Sequence, residues 1–262
     1  PIKVFFNNGN QLILQKNTQL EKTNGWWNSI KVKDFDHDGD LDFIAGNWGL
    51  NSRLQASTDE PITLYSNDFD NNGTVDPVIT YYYQKQETPF ASKDELVKQI
   101  PFLNKKFLSY KDFAEASFRE LLPEEKINGA YKKQVFELGS YYFENKGNTS
   151  FQKHRLPFMA QISSVNDIAL DDFNSDGFTD VLLVGNNYNI NTQLGKLDAS
   201  HGLILLNNKK GFFYESLDHD FNIRNSSSPN MEVQLPLPIM LVIHFKTQKI
   251  CSMSSQFGSR GS

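Results

Sequence analysis

Five carboxylates lie within nine residues near the start of the chain, at every second position from Asp34 to Asp42. Carboxylates packed this closely in a folded loop repel one another unless a cation lies between them. Ca²⁺ takes roughly six to eight oxygen ligands at about 2.3–2.6 Å, and alternate residues of a tight loop can turn their side chains around such an ion. Gly39, at the sixth position, supplies the sharp turn because glycine reaches positive φ without steric cost. The run therefore predicts a calcium-binding loop.

The pattern occurs three times, in segments that we call loop 1 (34–42), loop 2 (68–76) and loop 3 (172–180). Oxygen-bearing side chains hold positions 1, 3, 5 and 9 of every copy, Phe holds position 2 and Gly holds position 6. A single acidic run could be a solvated turn. Three copies in register favour calcium loops instead.

Each loop is expected to bind one Ca²⁺ through four side chains and one backbone carbonyl. The predicted side-chain ligands are Asp34, Asp36, Asp38 and Asp42 in loop 1, Asp68, Asp70, Asn72 and Asp76 in loop 2, and Asp172, Asn174, Asp176 and Asp180 in loop 3. The predicted carbonyl ligands belong to Asp40, Thr74 and Phe178. Loop 1 has the most carboxylates and is expected to bind most tightly.

The residues around the loops exclude an EF-hand, which needs a bidentate Glu at position 12 and a helix on each side. Position 12 is apolar in all three copies, as Ala45, Ile79 and Leu183. Short apolar runs rich in β-branched residues follow each loop and favour strands. Each loop is therefore expected to join two strands, with the Phe at position 2 packed inward. Phe35, Phe69 and Phe173 should be mostly buried, and Phe173→Ala should cost about 3–5 kcal/mol.

Strand–DxDxDGxxD–strand repeats of this kind resemble the FG-GAP or VCBS repeats of calcium-binding β-propellers, a family that includes the integrin α-subunit propeller and many bacterial surface proteins. The resemblance covers roughly residues 1–215. It implies an all-β fold of propeller-type blades carrying DxDxDGxxD calcium loops. The family consists mostly of scaffolds, so the resemblance implies a fold and an ion more firmly than an activity.

Hairpin patterns also recur, and an Asn-rich turn with Gly marks each of them. They lie near residues 3–14, 141–151 and 203–213. The first two precede loops 1 and 3 by nearly equal stretches, since 28 positions separate Phe6 from Asp34 and 29 separate Phe143 from Asp172. A repeated strand–turn unit of this size is typical of propeller blades, with an irregular β-sandwich as the alternative.

The repeated strand–turn pattern is interrupted at residues 84–138, where the sequence predicts an α-helical insertion. Ser92 and Glu95 form a capping box, a second helix is expected from about Ser109, and a short helical turn is expected after Pro123. Bacterial proteins of the family that the chain resembles carry a similar insertion. We expect residues 92–122 to be mainly helical and to stand apart from the blades. The Phe and Leu side chains on one face of these helices are expected to belong to the core and not to line a ligand groove.

The predicted organisation is therefore blades with loops 1 and 2 in residues 1–83, the insertion in 84–138, blades with loop 3 in 139–221, and an atypical tail in 222–262. The internal spacing places a fourth loop near residue 235, where no ligand set occurs. A last blade without calcium, a shifted reading frame from about Asn225 and a non-native end at 258–262 remain open. The start at Pro1 indicates a piece of a longer protein, expected to be secreted or in the cell envelope.

Composition excludes several classes of function. The formal net charge of −5 comes without a basic cluster, which argues against nucleic-acid binding. No run approaches the ~20 apolar residues that cross a bilayer. The single cysteine, Cys251, allows no internal disulfide.

Two functions are compared: a binding or adhesion scaffold stiffened by calcium, and a polysaccharide-processing enzyme domain. No nucleophile motif, HExxH motif or phosphate-binding glycine loop is present, so no catalytic residue is assigned. The scaffold is favoured, with an unidentified protein or glycan as its ligand. Trp26, Trp27, Trp48 and the run 81–83 of three Tyr are candidate contact residues, and packing between blades is the favoured alternative for them.

Overall fold

The computed structural model describes residues 1–16, 18–188, 190–191, 193–216, 231–234 and 240–243. The chain divides into two compact units, Pro1–Ser216 and Leu217–Ser262. No described helix combines the length and the apolar character that a membrane span requires. The predicted atypical tail, 222–262, falls in the second unit. Apart from one two-stranded hairpin, the expectations for this tail lie outside the described residues.

The described part of the first unit consists mainly of short strands, with a run of short helices in the middle of the chain. The strands are β1 (Phe5–Asn7), β2 (Leu12–Leu14), β3 (Ser29–Lys33), β4 (Asp42–Gly46), β5 (Ile62–Asn67), β6 (Asp76–Tyr83), β7 (Gln86–Pro89), β8 (Tyr131–Val135), β9 (Tyr141–Asn145), β10 (Phe151–Arg155), β11 (Asp167–Asp171), β12 (Asp180–Val184), β13 (Leu203–Asn207) and β14 (Phe213–Glu215). The helices are α1 (Lys93–Gln99), α2 (Leu103–Lys106), α3 (Tyr110–Glu115), α4 (Phe118–Leu121) and α5 (Glu124–Asn128), and a 3₁₀ turn spans Phe158–Gln161. The hairpin of the second unit pairs β15 (Met231–Gln234) with β16 (Met240–Ile243).

Three four-stranded antiparallel sheets form the body of the first unit. We call them the first sheet (β10-β9-β4-β3), the second sheet (β7-β6-β5-β8) and the third sheet (β11-β12-β13-β14), while β1 and β2 pair only with each other. The expectation of a mainly β fold with a helical segment is confirmed. Within the described residues the three sheets do not close into a ring.

Each loop joins two neighbouring strands in the same register. The residue before position 1 pairs with position 9 in all three copies, as Lys33 with Asp42, Asn67 with Asp76 and Asp171 with Asp180. The expected strand–loop–strand unit is therefore present three times, with the loop at the same place on its hairpin.

The chain order of the sheets differs from a simple succession of blades. The second sheet and all the described α-helices lie between β4 and β9, which pair with each other in the first sheet. Strands β7 and β8 lie on either side of the helices and both belong to the second sheet. The hairpin of β9 and β10 thus completes the sheet of loop 1, and the hairpin of β13 and β14 completes the sheet of loop 3.

Apolar side chains of the first and third sheets share one core. Phe35 of loop 1 is fully buried in it and makes edge-on contacts with Tyr142 of β9 and Phe213 of β14. Ring centroids are 5.8 and 5.4 Å apart in these two contacts. The loop that carries the acidic side chains is therefore fixed between two sheets by its second residue.

The three loop phenylalanines differ in burial. Phe35 and Phe69 are fully buried, as expected, whereas Phe173 is half-buried. Phe35 is covered by the third sheet and Phe69 by the helices. Phe173 belongs to none of the buried apolar clusters of the described residues.

The helical segment begins where its caps predict. Ser92 and Glu95 form the capping box of α1, and Ser109 accepts a hydrogen bond from the Asp112 backbone N–H at the start of α3. The expectation that the segment stands apart from the blades is wrong, because its apolar side chains pack on the second sheet. Phe69 of loop 2 and Phe118 of α4 are buried in the same cluster. Helices this short need such a partner, since few of their backbone groups are satisfied internally.

Candidate metal centres

The three loops share one backbone conformation. Position 4 is left-handed in every copy, with φ of 61° at His37, 61° at Asn71 and 59° at Ser175. The glycine at position 6 also has positive φ in every copy. Two left-handed residues in one short loop curl the chain so that its alternate side chains turn toward the inside.

Three hydrogen bonds recur in each loop and hold this conformation. In loop 1 the Gly39 N–H donates to Asp34 Oδ2 at 3.1 Å, the Asp40 N–H donates to Asp38 Oδ1 at 2.8 Å, and the Phe35 N–H donates to Asp42 Oδ2 at 3.2 Å. Loops 2 and 3 repeat all three bonds at distances of 2.7–3.1 Å. The acidic side chains are therefore positioned by the loop backbone itself.

Loops 1 and 2 each bring three carboxylates to one point. One oxygen from each of positions 1, 3 and 9 lies within 4.8 Å of the others. The two groups are Asp34, Asp36 and Asp42 in loop 1 and Asp68, Asp70 and Asp76 in loop 2. Six of the predicted ligands are therefore grouped as a cation site requires.

The remaining predicted ligands are placed differently. The side chains at position 5, Asp38, Asn72 and Asp176, accept hydrogen bonds from the backbone N–H of position 7. Asp38 is not part of the carboxylate group of loop 1. Loop 3 has the amide of Asn174 at position 3, so it lacks a third carboxylate there. Asp172 and Asp180 still accept the same backbone hydrogen bonds as their counterparts. The carbonyls of Asp40, Thr74 and Phe178 remain predicted ligands.

The aspartate at position 9 is buried in every loop, and in loops 1 and 3 it connects the loop to its sheet. Asp42 Oδ2 accepts a hydrogen bond from the Tyr142 hydroxyl at 2.8 Å, and its Oδ1 accepts one from the Asn145 N–H at 2.8 Å. Asp180 Oδ1 accepts the Asn207 N–H at the same distance. Position 9 therefore links each of these loops to the third strand of its own sheet.

The roles of Tyr142, Asn145 and Asn207 in supporting position 9 were not predicted from the sequence. Asn145 and Asn207 lie in the predicted Asn-rich turns, and each accepts a hydrogen bond from the N–H of a glycine in its turn. A signal for their second role was present, because an Asn ends the first strand of all three hairpins, as Asn7, Asn145 and Asn207. Tyr142 carried no such signal, since its contact with Asp42 depends on the pairing of β4 with β9.

Burial makes the charged form of several loop carboxylates unfavourable without a cation. It raises the pKa of Asp42, although hydrogen bonds from Asn145, Tyr142 and Phe35 act in the opposite direction. The pKa of Asp36 is also raised, first by burial and further by the charges of Asp38, Glu144 and Asp34. A divalent cation among these oxygens would remove the penalty.

One oxygen of loop 1 lacks a hydrogen-bond donor. Asp34 Oδ1 is buried and has no partner within the described residues, whereas Oδ2 of the same carboxylate accepts the Gly39 N–H. An unpaired buried carboxylate oxygen is costly, and a metal ion is one way to satisfy it. Since Asp34, Asp36 and Asp42 offer only carboxylate oxygen, the group fits a hard cation such as Ca²⁺ better than Zn²⁺, which favours nitrogen and sulfur.

No family model, curated protein or solved structure matches the chain. The comparisons therefore neither support nor oppose the resemblance carried by the DxDxDGxxD repeats. The loops and their surroundings supply the remaining arguments about function.

The aromatic contact candidates are mostly engaged in packing. Trp26 and Trp48 meet edge-on with centroids 5.2 Å apart, and the Trp27 indole N–H donates to the Thr23 carbonyl at 2.7 Å. Tyr81 is buried, while Tyr83 is exposed. The three tryptophans are therefore partly buried against apolar clusters, whereas the exposed ring of Tyr83 is accessible to a ligand.

Loops 1 and 3 also meet each other. The imidazole of His37 stacks on the ring of Phe178 with centroids 4.5 Å apart, so His37 serves packing between the loops. Asn207 adds a bond from its Nδ2 to the Phe35 carbonyl at 2.8 Å. A cation in loop 1 would therefore stabilise contacts of both the first and the third sheets.

Proposed function

We propose that this chain is a calcium-stabilised binding scaffold, built of propeller-type blades, from a secreted or cell-envelope protein. The observation that carries the proposal is the threefold recurrence of one loop, with the same register, the same left-handed positions and the same buried aspartate. Each loop takes one Ca²⁺, with the side chains at positions 1, 3, 5 and 9 and the carbonyl at position 7 as ligands. In loop 3 the Asn174 amide replaces one carboxylate.

The role of calcium in this proposal is to stabilise the fold. All ligands of a site come from one nine-residue turn between paired strands, and in loops 1 and 3 position 9 also accepts a hydrogen bond from the third strand of the sheet. A catalytic metal keeps an open coordination position that faces a substrate pocket. Four side chains and a carbonyl leave little beyond one or two waters in a calcium site. The ion thus fixes the turn and offsets the repulsion between its carboxylates.

The proposed setting follows from the affinity expected of such loops. Extracellular calcium modules bind at roughly 10⁻⁴–10⁻³ M, so these sites would be filled in an environment with millimolar calcium. The ligand of the scaffold is a protein or a glycan that contacts the surface presented by the sheets and the helical segment.

Thermal melting in calcium, in magnesium and in chelator tests the proposal. Calcium binds only the folded loops, so it should raise the melting temperature by mass action. Magnesium should raise it less, because it demands a smaller octahedral site. Asp59→Ala, at an exposed acidic residue outside the loops, is the control and should respond like the unmodified chain. Equal melting temperatures in all three conditions would overturn the proposal.

A further inference from the structure

A cleft of about 610 Å³ lies between strands β6 and β7 and the helices α1 and α3. Its wall includes Arg53, Tyr81, Tyr83, Phe90, Lys93 and Tyr110. The volume falls in the range of sites that bind small molecules or short oligomers. None of the loop carboxylates belongs to this wall, so the cleft is separate from the candidate metal centres.

Arg53 supplies an available guanidinium at this cleft. It is exposed, and its Nε and Nη2 both donate to the Tyr81 hydroxyl. The guanidinium lies over the rings of Tyr81 and Phe90, with its central carbon 5.0 and 5.9 Å from their centroids. A guanidinium has five N–H donors in a fixed fork that matches a carboxylate. Arg53 is thus oriented by aromatic contacts and retains donors for a ligand.

Lys93 adds a second positive charge that is largely removed from water. The residue is only 8% exposed. Its Nζ donates to the Leu108 carbonyl at 3.2 Å and lies 4.9 Å from the centroid of the Tyr110 ring. No ion pair joins Lys93 or Arg53 to a carboxylate of the described chain. A buried ammonium without a counter-ion is unfavourable, and a bound anion would offset that cost.

The cleft is positive in a chain whose net charge is −5. Among the described residues that line it, two are cationic and none is acidic. The neighbouring carboxylates have other partners: Asp94 accepts the Tyr110 hydroxyl, and Glu95 accepts hydrogen bonds from Ser92 and Gln193. The charge of the wall is therefore complementary to an anionic ligand.

The aromatic side chains of the wall indicate which class of anionic ligand fits the cleft. Tyr83 and Tyr110 are 59% and 64% exposed, so both rings are accessible to a ligand in the cleft. Flat exposed rings pack against the C–H faces of sugar rings, and their hydroxyls can bond to sugar hydroxyls. A small inorganic anion would need the cations but would leave these rings unused.

We propose that this cleft binds a short saccharide that carries a carboxylate, with Arg53 and Lys93 facing the carboxylate and Tyr83 and Tyr110 packing on the sugar rings. The proposal rests on the scaffold function above and names the chemistry of its ligand. The contact is binding only and involves no covalent step.

Calorimetric titration with trigalacturonate tests the cleft, at one calcium concentration in cell and syringe. The trimethyl ester of the same saccharide is the matched ligand control, because it keeps the rings and removes the charges. Arg53→Gln and Lys93→Met remove one cation each, and Lys22→Gln removes an exposed cation outside the cleft. Melting curves of every variant show whether it is folded. Because Arg53 is exposed, Arg53→Gln keeps the test decisive if Lys93→Met does not fold.

The expected result is binding of trigalacturonate, with affinity about tenfold weaker for the ester and for Arg53→Gln, and unchanged for Lys22→Gln. A charge-assisted hydrogen bond of roughly 1.5–3 kcal/mol corresponds to at least this factor. No binding at millimolar saccharide, equal binding of the ester, or unchanged binding by Arg53→Gln would overturn the proposal. So would hexaglutamate bound as tightly as the saccharide, because the ligand would then be an acidic peptide.

The two proposals fail separately. Melting in calcium and in chelator needs no saccharide. If calcium stabilises the chain but trigalacturonate does not bind, only the saccharide-binding proposal is rejected. A chain that binds the saccharide without any calcium effect on melting rejects only the calcium role.

Discussion

At the scale of single residues, burial and hydrogen bonding act in opposite directions on the pKa of a loop aspartate. Asp42 is buried and accepts hydrogen bonds from Phe35, Tyr142 and Asn145, yet burial still raises its pKa. Asp34 keeps one buried oxygen without a partner in the described chain. Hydrogen bonds alone therefore do not compensate the charge of loop 1, and the proposed cation would compensate the remaining part.

Asp36→Ala should lower stability in calcium but not in chelator. In calcium the substitution removes a ligand and should lower the melting temperature. In chelator it removes a half-buried charge that Asp34 and Asp38 repel, so stability should be unchanged or slightly higher. Melting curves of the variant and of the Asp59→Ala control in both buffers measure this. Equal destabilisation in both buffers would show that Asp36 has only a calcium-independent structural role.

Protons should compete with calcium at an unusually high pH for aspartates. The pKa values of Asp36 and Asp42 are raised in the calcium-free fold, so the folded chain binds these protons more tightly than the unfolded chain does. Their ionisation therefore lowers stability as pH rises through the folded pKa values, and calcium, which needs the ionised form, reverses this. The calcium-induced gain in melting temperature should be full near pH 7. It should decline as pH falls toward these raised pKa values, before ordinary aspartates near ~3.9 are protonated. A gain that stays constant down to pH 4 would contradict this.

The phenylalanines at position 2 should differ in their contribution to stability. Phe35→Ala removes a fully buried ring from the core shared by the first and third sheets and should cost about 3–5 kcal/mol. Phe173 is half-buried, so Phe173→Ala should cost clearly less than that range. Urea unfolding of both variants in calcium gives the two values. Equal costs would contradict the difference in packing.

At the scale of elements, local signals predicted local structure well. The repeated acidic pattern gave three strand–loop–strand units, and the caps at Ser92 and Ser109 gave the starts of α1 and α3. A further capping box, formed by Ser117 and Glu120, begins α4 and was available in the sequence but not recognised. These features could be predicted because they depend on residues fewer than ten positions apart.

Pairing over long stretches of chain could not be predicted in the same way. Ile44 pairs with Tyr142 in the first sheet, although the second sheet and the helices lie between them in the chain. The sequence of a strand does not specify which strand it pairs with, because any apolar strand of similar length satisfies the same backbone hydrogen bonds. The support of Asp42 by Tyr142 and Asn145 depends on this pairing and was missed for the same reason.

The helical segment should contribute to the stability of the second sheet. Phe118 of α4 is fully buried, and its ring centroid is 4.6 Å from that of Tyr65 in β5. Phe118→Ala should therefore cost about 3–5 kcal/mol. Leu108→Ala, at a residue of the same segment that is 83% exposed, is the control and should change stability by less than about 0.5 kcal/mol. A near-neutral Phe118→Ala would contradict a contribution of the helical segment to the stability of the second sheet.

At the scale of the whole molecule, the acidic loops lie at junctions between packed parts of the first unit. Loop 1 contacts the third sheet through Phe35 and loop 3 through His37, and loop 2 contacts the helical segment through Phe69. Calcium in these loops would therefore stabilise the packing of sheets as well as single turns. The cleft lined by Arg53 and Lys93 lies at another such junction, where the second sheet meets the helices.

The most direct test of this account is the number of calcium ions bound per chain, measured by equilibrium dialysis against radioactive calcium in the low millimolar range. The account predicts a value that approaches three, with an excess of magnesium displacing little of it. Replacing Asp34 and Asp42 of loop 1 together by Asn should lower the value by one, and Asp59→Asn should leave it unchanged. Binding of no calcium, or a value that the loop 1 replacements do not lower, would contradict the account.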